Sequence, residues 1–226
     1  MSDLIDTTEM YLRTILELEE EGHVPMRARI SERLDQSGPT VSETVARMEK
    51  NGLVALSNDR HLELTETGRK LAIEVMRKHR LAELLLSQVI GLDWHLVHEE
   101  ACRWEHVMSE QVEKRILELV PQYQRSPFGN PVPGLDMLGV AAAVDSNEVV
   151  HPLLEHLDQD VLLVRIAEPL QVYSDVLAHL NAAGVIPGAA IKAVSTANRI
   201  EVSLLQGQHS VSLTTFDAAH IFVKPL

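Results

Sequence analysis

"DQSGPTVSETVARMEKNGLVALSNDRHLELTETGRKLA", residues 35–72, decides the fold of the first third of the chain. Gly38 permits a tight turn, and Pro39 is tolerated only in the first turn of a following helix. The stretch from 40 to 53 predicts that helix, with Val41, Val45 and Met48 facing inward and Gly52 closing it. Just upstream, "RARISERL" (27–34) predicts a short helix. Two helices joined by a tight turn containing glycine form a helix-turn-helix. Apolar and polar residues then alternate on both sides of the turn-forming Asn58-Asp59, which predicts a short β-hairpin. Thr65 caps a further helix. Helix-turn-helix, hairpin and helix in that order make a winged helix.

Working outward, "DTTEMYLRTILELEEEG" (6–22) predicts a helix capped by Asp6 or Thr7 and ended by Gly22, with Met10, Tyr11, Ile15 and Leu18 inward. On the other side a long helix runs from about Thr65 to Ile90. Its end, "AELLLSQVIGL" (82–92), is apolar enough to require burial in the core or against another subunit. Gly91 breaks it, and Asp93 caps a helix expected from about Trp94 to Leu119. "PQYQRSPFGNPVPGLDMLG" (121–139) carries Pro121, Pro127, Pro131 and Pro133 and reads as a linker or extended arm. Short β-type segments follow at 161–168, 189–197, 199–206 and 209–215, with one helix near 172–184. The expected fold is mainly α with a small β-rich C-terminal domain. Its domains are 1–73, 74–140 and 150–226.

The net charge of −13 over 226 residues argues against a chain coated for nucleic acid, but the distribution does not. Residues 1–26 carry a net −6, residues 27–80 a net +3 and residues 81–226 a net −10. The one positive block coincides with the helix-turn-helix and wing. No apolar run is long enough for a membrane span, so no membrane partner is expected. The start lacks a basic n-region, which predicts no secretory signal. Cys102 is the single cysteine; an internal disulfide is impossible and a reducing cytoplasm is the expected location.

"HEEACRWEHV" (98–107) crowds ligand-type residues together. On a helical wheel with His98 at 0°, Cys102 falls near 40°, Glu105 near −20° and His106 near 80° at about 100° per residue. Four potential metal donors thus share one face. Glu99 and Glu100 point elsewhere and read as solvated. His79 and Glu83, again at i and i+4, lie on the preceding helix, which packs alongside. Taken singly, each is more often surface or core than ligand, and Met10 alone reads as core. Six co-facing donors on two adjacent helices are less easily dismissed, and spacing alone leaves a metal site and a solvated helix face both open. No HExxH is present, and no nucleophile–base pair or phosphate loop supports a metalloenzyme.

The segments "DTTEMYLRT", "ELEEEG", "DQSGPTVS", "VMRKHRLAE", "EACRWEHVMS" and "RSPFGNPVPGL" resemble the diphtheria toxin repressor and iron-dependent regulator family, almost continuously over residues 1–140. The resemblance implies a cytoplasmic, iron(II)-activated repressor that binds palindromic operators of iron-homeostasis genes as a homodimer. It implies a winged helix, a dimerisation and metal domain, and an SH3-like domain. Two metal sites per protomer follow from it: Met10, Cys102, Glu105 and His106 in one, His79, Glu83 and His98 in the other. Glu168 and Gln171 would complete the second; read alone, that pair is an exposed turn. Related manganese sensors have carboxylates where Met10 and Cys102 stand, so sulfur donors point to iron(II), with manganese, cobalt, nickel and zinc able to substitute.

Ser37, Pro39, Thr40, Ser42 and Glu43 are expected at the base-reading start of the recognition helix, and Arg27, Arg47, Lys50 and Arg60 at phosphates. Glu43 stands where the family usually has glutamine, which predicts a shifted operator preference. The resemblance also implies docking of the Pro-rich arm on the C-terminal domain. A metal joining Met10 to residues 102–106 would fix the first helix, and relieve any clash or disorder of residues 1–6.

Overall fold

A computed structural model describes the backbone of residues 2–57, 59–141, 148–207 and 209–226, and the side chains of these from Thr7 onward. Helix α1 (Ser2–Glu20) begins earlier than the sequence predicts, so Thr7 lies inside it rather than capping it. The Asp6 side chain lies outside the described residues. Helices α2 (Arg27–Arg33) and α3 (Gly38–Lys50) form the helix-turn-helix; the Ser37 side chain caps α3 by accepting from Thr40 N. Strands β1 (Val54–Leu56) and β2 (Leu62–Leu64) pair antiparallel as the wing. Of the expected Asn58-Asp59 turn, Asn58 lies outside the described residues. One core unites the domain: Tyr11, Ile15 and Leu18 of α1 pack on Ile30, Val41, Val45 and Met48, and Ala72 and Met76 close it. Gly68 is required where the hairpin meets the next helix, because a Cβ there would fall 1.8 Å from Leu53 O.

Helix α4 (Glu66–Leu85), capped by Thr65, leaves the winged helix and enters the middle of the molecule. It ends in a π-helical turn, Leu86–Ile90, and left-handed Gly91 reverses the chain. The single helix expected from 94 to 119 is two. A 3-10 turn (Trp94–Leu96) leads into α5 (Val97–Trp104), and α6 (Glu110–Leu119) starts afresh. The physical reason is Ser109, whose hydroxyl accepts from Val112 N and caps α6. Buried Arg77 of α4 then pairs with Glu113 of α6 at 2.6 Å.

The C-terminal part holds a six-stranded sheet ordered β3-β8-β4-β5-β6-β7, with every pairing antiparallel. Its strands are β3 (His151–Pro152), β4 (Asp160–Ile166), β5 (Ala190–Ser195), β6 (Ile200–Leu204), β7 (Ser210–Leu213) and β8 (Ile221–Pro225). The four expected segments are present. β3 and β8 were not foreseen, β3 because two residues carry no periodicity. Short helices α7 (Glu168–Gln171), α8 (Ser174–Ala182) and α9 (Thr215–Ala219) flank the sheet.

Hydrogen bonds join residues 128–130 of the Pro-rich stretch to β4. Phe128 O accepts from Ile166 N at 2.8 Å, and Asn130 Nδ2 donates to Ile166 O at 2.7 Å. Trp94 Nε1 donates to Pro127 O, and buried Phe128 packs on the Trp94 ring. Gly129 makes the approach possible: its φ is +84°, and a Cβ would lie 2.1 Å from Val164 O. Gly129→Ala is therefore expected to lower the melting temperature by about 5 °C and to open the 125–135 segment to limited proteolysis. An unchanged melting curve and digestion pattern would contradict this packing.

Candidate metal centre

Helix α4 supplies His79 and Glu83, which share a face at i, i+4, and α5 brings His98 and Cys102 opposite them. Glu105 is the C-cap of α5, still in helical conformation with its N–H donating to Ala101 O, and His106 lies one residue beyond, so the wheel holds for His98, Cys102 and Glu105. Ligand atoms of His79, His98 and Cys102 all lie within 4.8 Å of one another. His79 sits at the centre. Its Nδ1 is 2.6 Å from Glu105 Oε2, and its Nε2 is 3.0 Å from Glu83 Oε1 and 3.2 Å from His98 Nδ1. His98 Nε2 reaches Cys102 Sγ at 3.6 Å. His79, Glu83, His98 and Glu105 are buried and Cys102 is half-buried. The two clusters expected separately are one continuous chain of contacts here.

Its charges are mutually fixed. Burial opposes ionisation of the Cys102 thiol, but the Arg13 guanidinium and the His79 and His98 rings outweigh it and bring its pKa from 9.0 down to about 4. Burial also opposes the charge on His98, yet Cys102 and Glu83 push its pKa up to about 9. His79 is raised well above its ordinary value against the same penalty, chiefly by Glu83. Glu83 falls to about 2 because the two imidazoles overcome its burial, and Glu105 falls to about 2 because Arg13 and His79 do.

The other expected ligands are placed differently. Met10 is half-buried and packs against the winged-helix core. Its neighbour one turn on, Arg13, enters instead: its guanidinium bonds Glu105 and lies 3.5 Å from Cys102 Sγ and 3.2 Å from His79 Nδ1. His106 Nδ1 pairs with Glu9 Oε2 at 2.6 Å and its Nε2 lies 3.3 Å from Glu105 Oε1. The pair read as an exposed turn is buried on α7. Glu168 accepts from Arg80 at 2.6 Å, and Gln171 Nε2 donates to Ile166 O at 2.7 Å. Arg80 also holds Glu20 and Pro131 O, and Arg165 reaches Glu20 O, so α1, α4, the arm and the C-terminal domain meet there. Arg13, Arg80 and Glu9 were not foreseen. The signal for Arg13 was its i+3 spacing from Met10.

This donor set fits a divalent cation. Thiolate, imidazole and carboxylate converge in a buried space, and buried Glu83 Oε2 and Gln171 Oε1 lack hydrogen-bond partners. At the other end of the molecule, Ser37, Pro39, Thr40, Glu43 and Lys50 are exposed on α3, with Ser42 and Arg47 half-buried. Arg60 is exposed in the wing at φ +63°. Arg27 is half-buried at the start of α2 with its Nε unpartnered.

Residues 3–62 match the family model "Iron dependent repressor, N-terminal DNA binding domain", and residues 65–134 match "Iron dependent repressor, metal binding and dimerisation domain". The chain belongs to the iron-dependent repressor family. The diphtheria toxin repressor of Corynebacterium diphtheriae is 55% identical over 206 residues, covering 90% of this chain and 91% of that protein. The iron-dependent repressor IdeR of Mycobacterium tuberculosis is 54% identical over 217 residues, 94% of each. The crystal structure of T. acidophilum IdeR superposes with a TM-score of 0.74 at 30% identity, covering 96% of this chain and 97% of that one. A manganese-dependent transcriptional repressor in complex with manganese gives a TM-score of 0.80 at 26% identity, covering 97% and 100%. The repressor thus has the fold of metal-responsive regulators, with DNA-binding and dimerisation domains. No helix among the described residues is long and apolar enough to cross a membrane.

A cation entering this cluster must displace protons from His79 and His98, whereas Cys102 has none to lose near neutral pH. Apparent metal affinity is therefore expected to rise from pH 6 to pH 8, with about one to two protons released per ion. Calorimetric titrations in buffers of different ionisation enthalpy count them. A pH-independent affinity with no proton release would contradict the site as described.

Proposed function

We propose that this protein is an iron(II)-activated transcriptional repressor that binds palindromic operator DNA of iron-homeostasis genes as a homodimer. The observation that carries the proposal is the buried convergence of Cys102 thiolate, His79, His98, Glu83 and Glu105 beside the first helix of a winged-helix domain. Sulfur among the donors favours a softer ion than calcium or magnesium, and iron(II) fits it; manganese, cobalt, nickel and zinc are substitutes. When bound, the ion supplies concentrated positive charge that crosslinks donors from separate helices.

The proposed sites are Met10, Cys102, Glu105 and His106, and His79, Glu83 and His98 with Glu168 and Gln171. In this reading Met10 of α1 and Glu168 of the C-terminal domain join the ion to α4 and α5. The proposed domains are 1–73, 74–140 and 150–226, with the arm docked on the third as an internal ligand. Val89, Ile90, Leu96, Val107 and Val112 are exposed apolar residues on the middle domain, which favours a dimer face there. A cytoplasmic location and the absence of catalytic activity belong to the same reading.

At DNA, Ser37, Pro39, Thr40, Ser42 and Glu43 would face base edges, and Arg27, Arg47, Lys50 and Arg60 phosphates. Anaerobic fluorescence anisotropy on a palindromic duplex is the test. Iron(II) should tighten binding, and Cys102→Ala should need at least ~100-fold more metal for the same effect. Tight binding indifferent to iron in both proteins would contradict the proposal. Glu43→Gln should change preference among operator variants by ~1–3 kcal/mol at the base it faces, since a carboxylate accepts from cytosine N4 but cannot donate. Identical rankings for the two proteins would remove residue 43 from base reading.

A further inference from the structure

We propose that Arg13 is an internal competitor for the metal, occupying the donors of the Cys102–Glu105 cluster and setting the ion concentration at which the repressor loads. This rests on the proposed metal centre and concerns a residue outside its ligand set. The Nη1 atom of Arg13 bonds Glu105 Oε2 and lies 3.5 Å from Cys102 Sγ and 3.2 Å from His79 Nδ1, so one cationic group touches donors from α4, from α5 and from the turn after it. The side chain is only 12% exposed. A cation bonded to Cys102 and Glu105 needs the same lone pairs that Arg13 uses. Two positive groups at that separation in a buried space repel strongly.

A guanidinium does not lose its proton near neutral pH. His79 and His98 can free their nitrogens by deprotonation, but Arg13 has to move. A receiving group stands one turn along α1. Glu17 Oε1 lies 3.0 Å from Arg13 Nε, yet neither atom completes an oriented hydrogen bond, and both are buried. Glu17 is already 3.0 Å from Arg13, so a guanidinium that leaves Glu105 keeps a carboxylate partner. Glu17 is also 3.4 Å from Arg33 of α2, which holds Glu21 at 2.8 Å. Displaced Arg13 thus stays within the ion pairs that fasten α1 to α2. Without metal, the same guanidinium ties α1 to the segment after α5, so it is both competitor and clasp.

The test compares the full-length protein with Arg13→Gln and Arg13→Lys. Cobalt(II) is titrated anaerobically at pH 8, where protons compete least, and binding is read from thiolate-to-cobalt absorption. Melting temperatures are measured without metal. Arg13→Gln should bind cobalt about tenfold or more tightly than wild type, because the buried competing charge is gone. Its metal-free form should melt at least ~5 °C lower, because buried anions lose their partner. Arg13→Lys, which keeps the charge but not the planar fork, should fall between them in both readouts and stays informative if the glutamine variant folds poorly. A normal thiolate band in wild type with equal or weaker cobalt affinity in both variants would overturn the competitor role alone. No thiolate band in any of the proteins would overturn the metal centre and the competitor with it.

Discussion

Buried negative charge on the central helices needs a cation, and the rest of the structure is arranged around that need. Glu83 and Glu105 are buried and the Cys102 thiolate is half-buried where α4, α5 and the turn beyond meet. Leaving buried charges unpaired costs several kcal/mol per group. His79, His98 and Arg13 supply the balance here, and Arg13 comes from a different domain. Whatever satisfies the cluster therefore decides where α1 sits. Since α1 shares one core with α2 and α3, it also decides how α3 of the DNA-binding domain is held.

The proton inventory of the cluster has an instructive symmetry. In the unfolded chain near pH 8 the cysteine keeps its proton and the histidine has lost its own. In the folded chain the thiol is ionised and His98 is charged, with pKa values of about 4 and about 9. The proton has in effect passed from Cys102 to His98, so this pair binds about as many protons folded as unfolded from about pH 7.5 to 9. The pair alone gives no net pH dependence of stability in that window. His79, raised without such a counterpart, adds stability at low pH that is lost as pH rises above 6.5. The thiolate is made ready for a metal without a pH-dependent penalty of its own.

Much of the fold was legible in residues 35–72, because turn chemistry and apolar spacing agree there. Gly38-Pro39 started α3, Thr65 capped α4, and alternation about Leu56–Leu62 gave the wing. The helix read across 94–119 failed because helical spacing continues through 105–109, while the Ser109 cap that restarts the chain is a local hydrogen bond. At the site, spacing put His79 and Glu83 on one helix face and His98, Cys102 and Glu105 on another, and the fold brings the two faces together. It could not find Arg13 or Arg80. An arginine near a carboxylate is ordinary in sequence, and only the packing of the folded chain makes Arg13 the partner of the cluster and Arg80 the partner of Glu168. Glu168 and Gln171 carried no signal of their own, since their burial comes from the β domain folding back onto α4.

The central claim is that an ion is held by sulfur, nitrogen and oxygen from elements that meet only in the folded chain. X-ray absorption at the metal edge of the anaerobic iron(II)-loaded repressor tests it most directly. The account predicts a sulfur shell at about 2.3 Å beside nitrogen and oxygen neighbours, diminished when Cys102 is replaced by serine. A shell of oxygen and nitrogen alone in the native protein would contradict it.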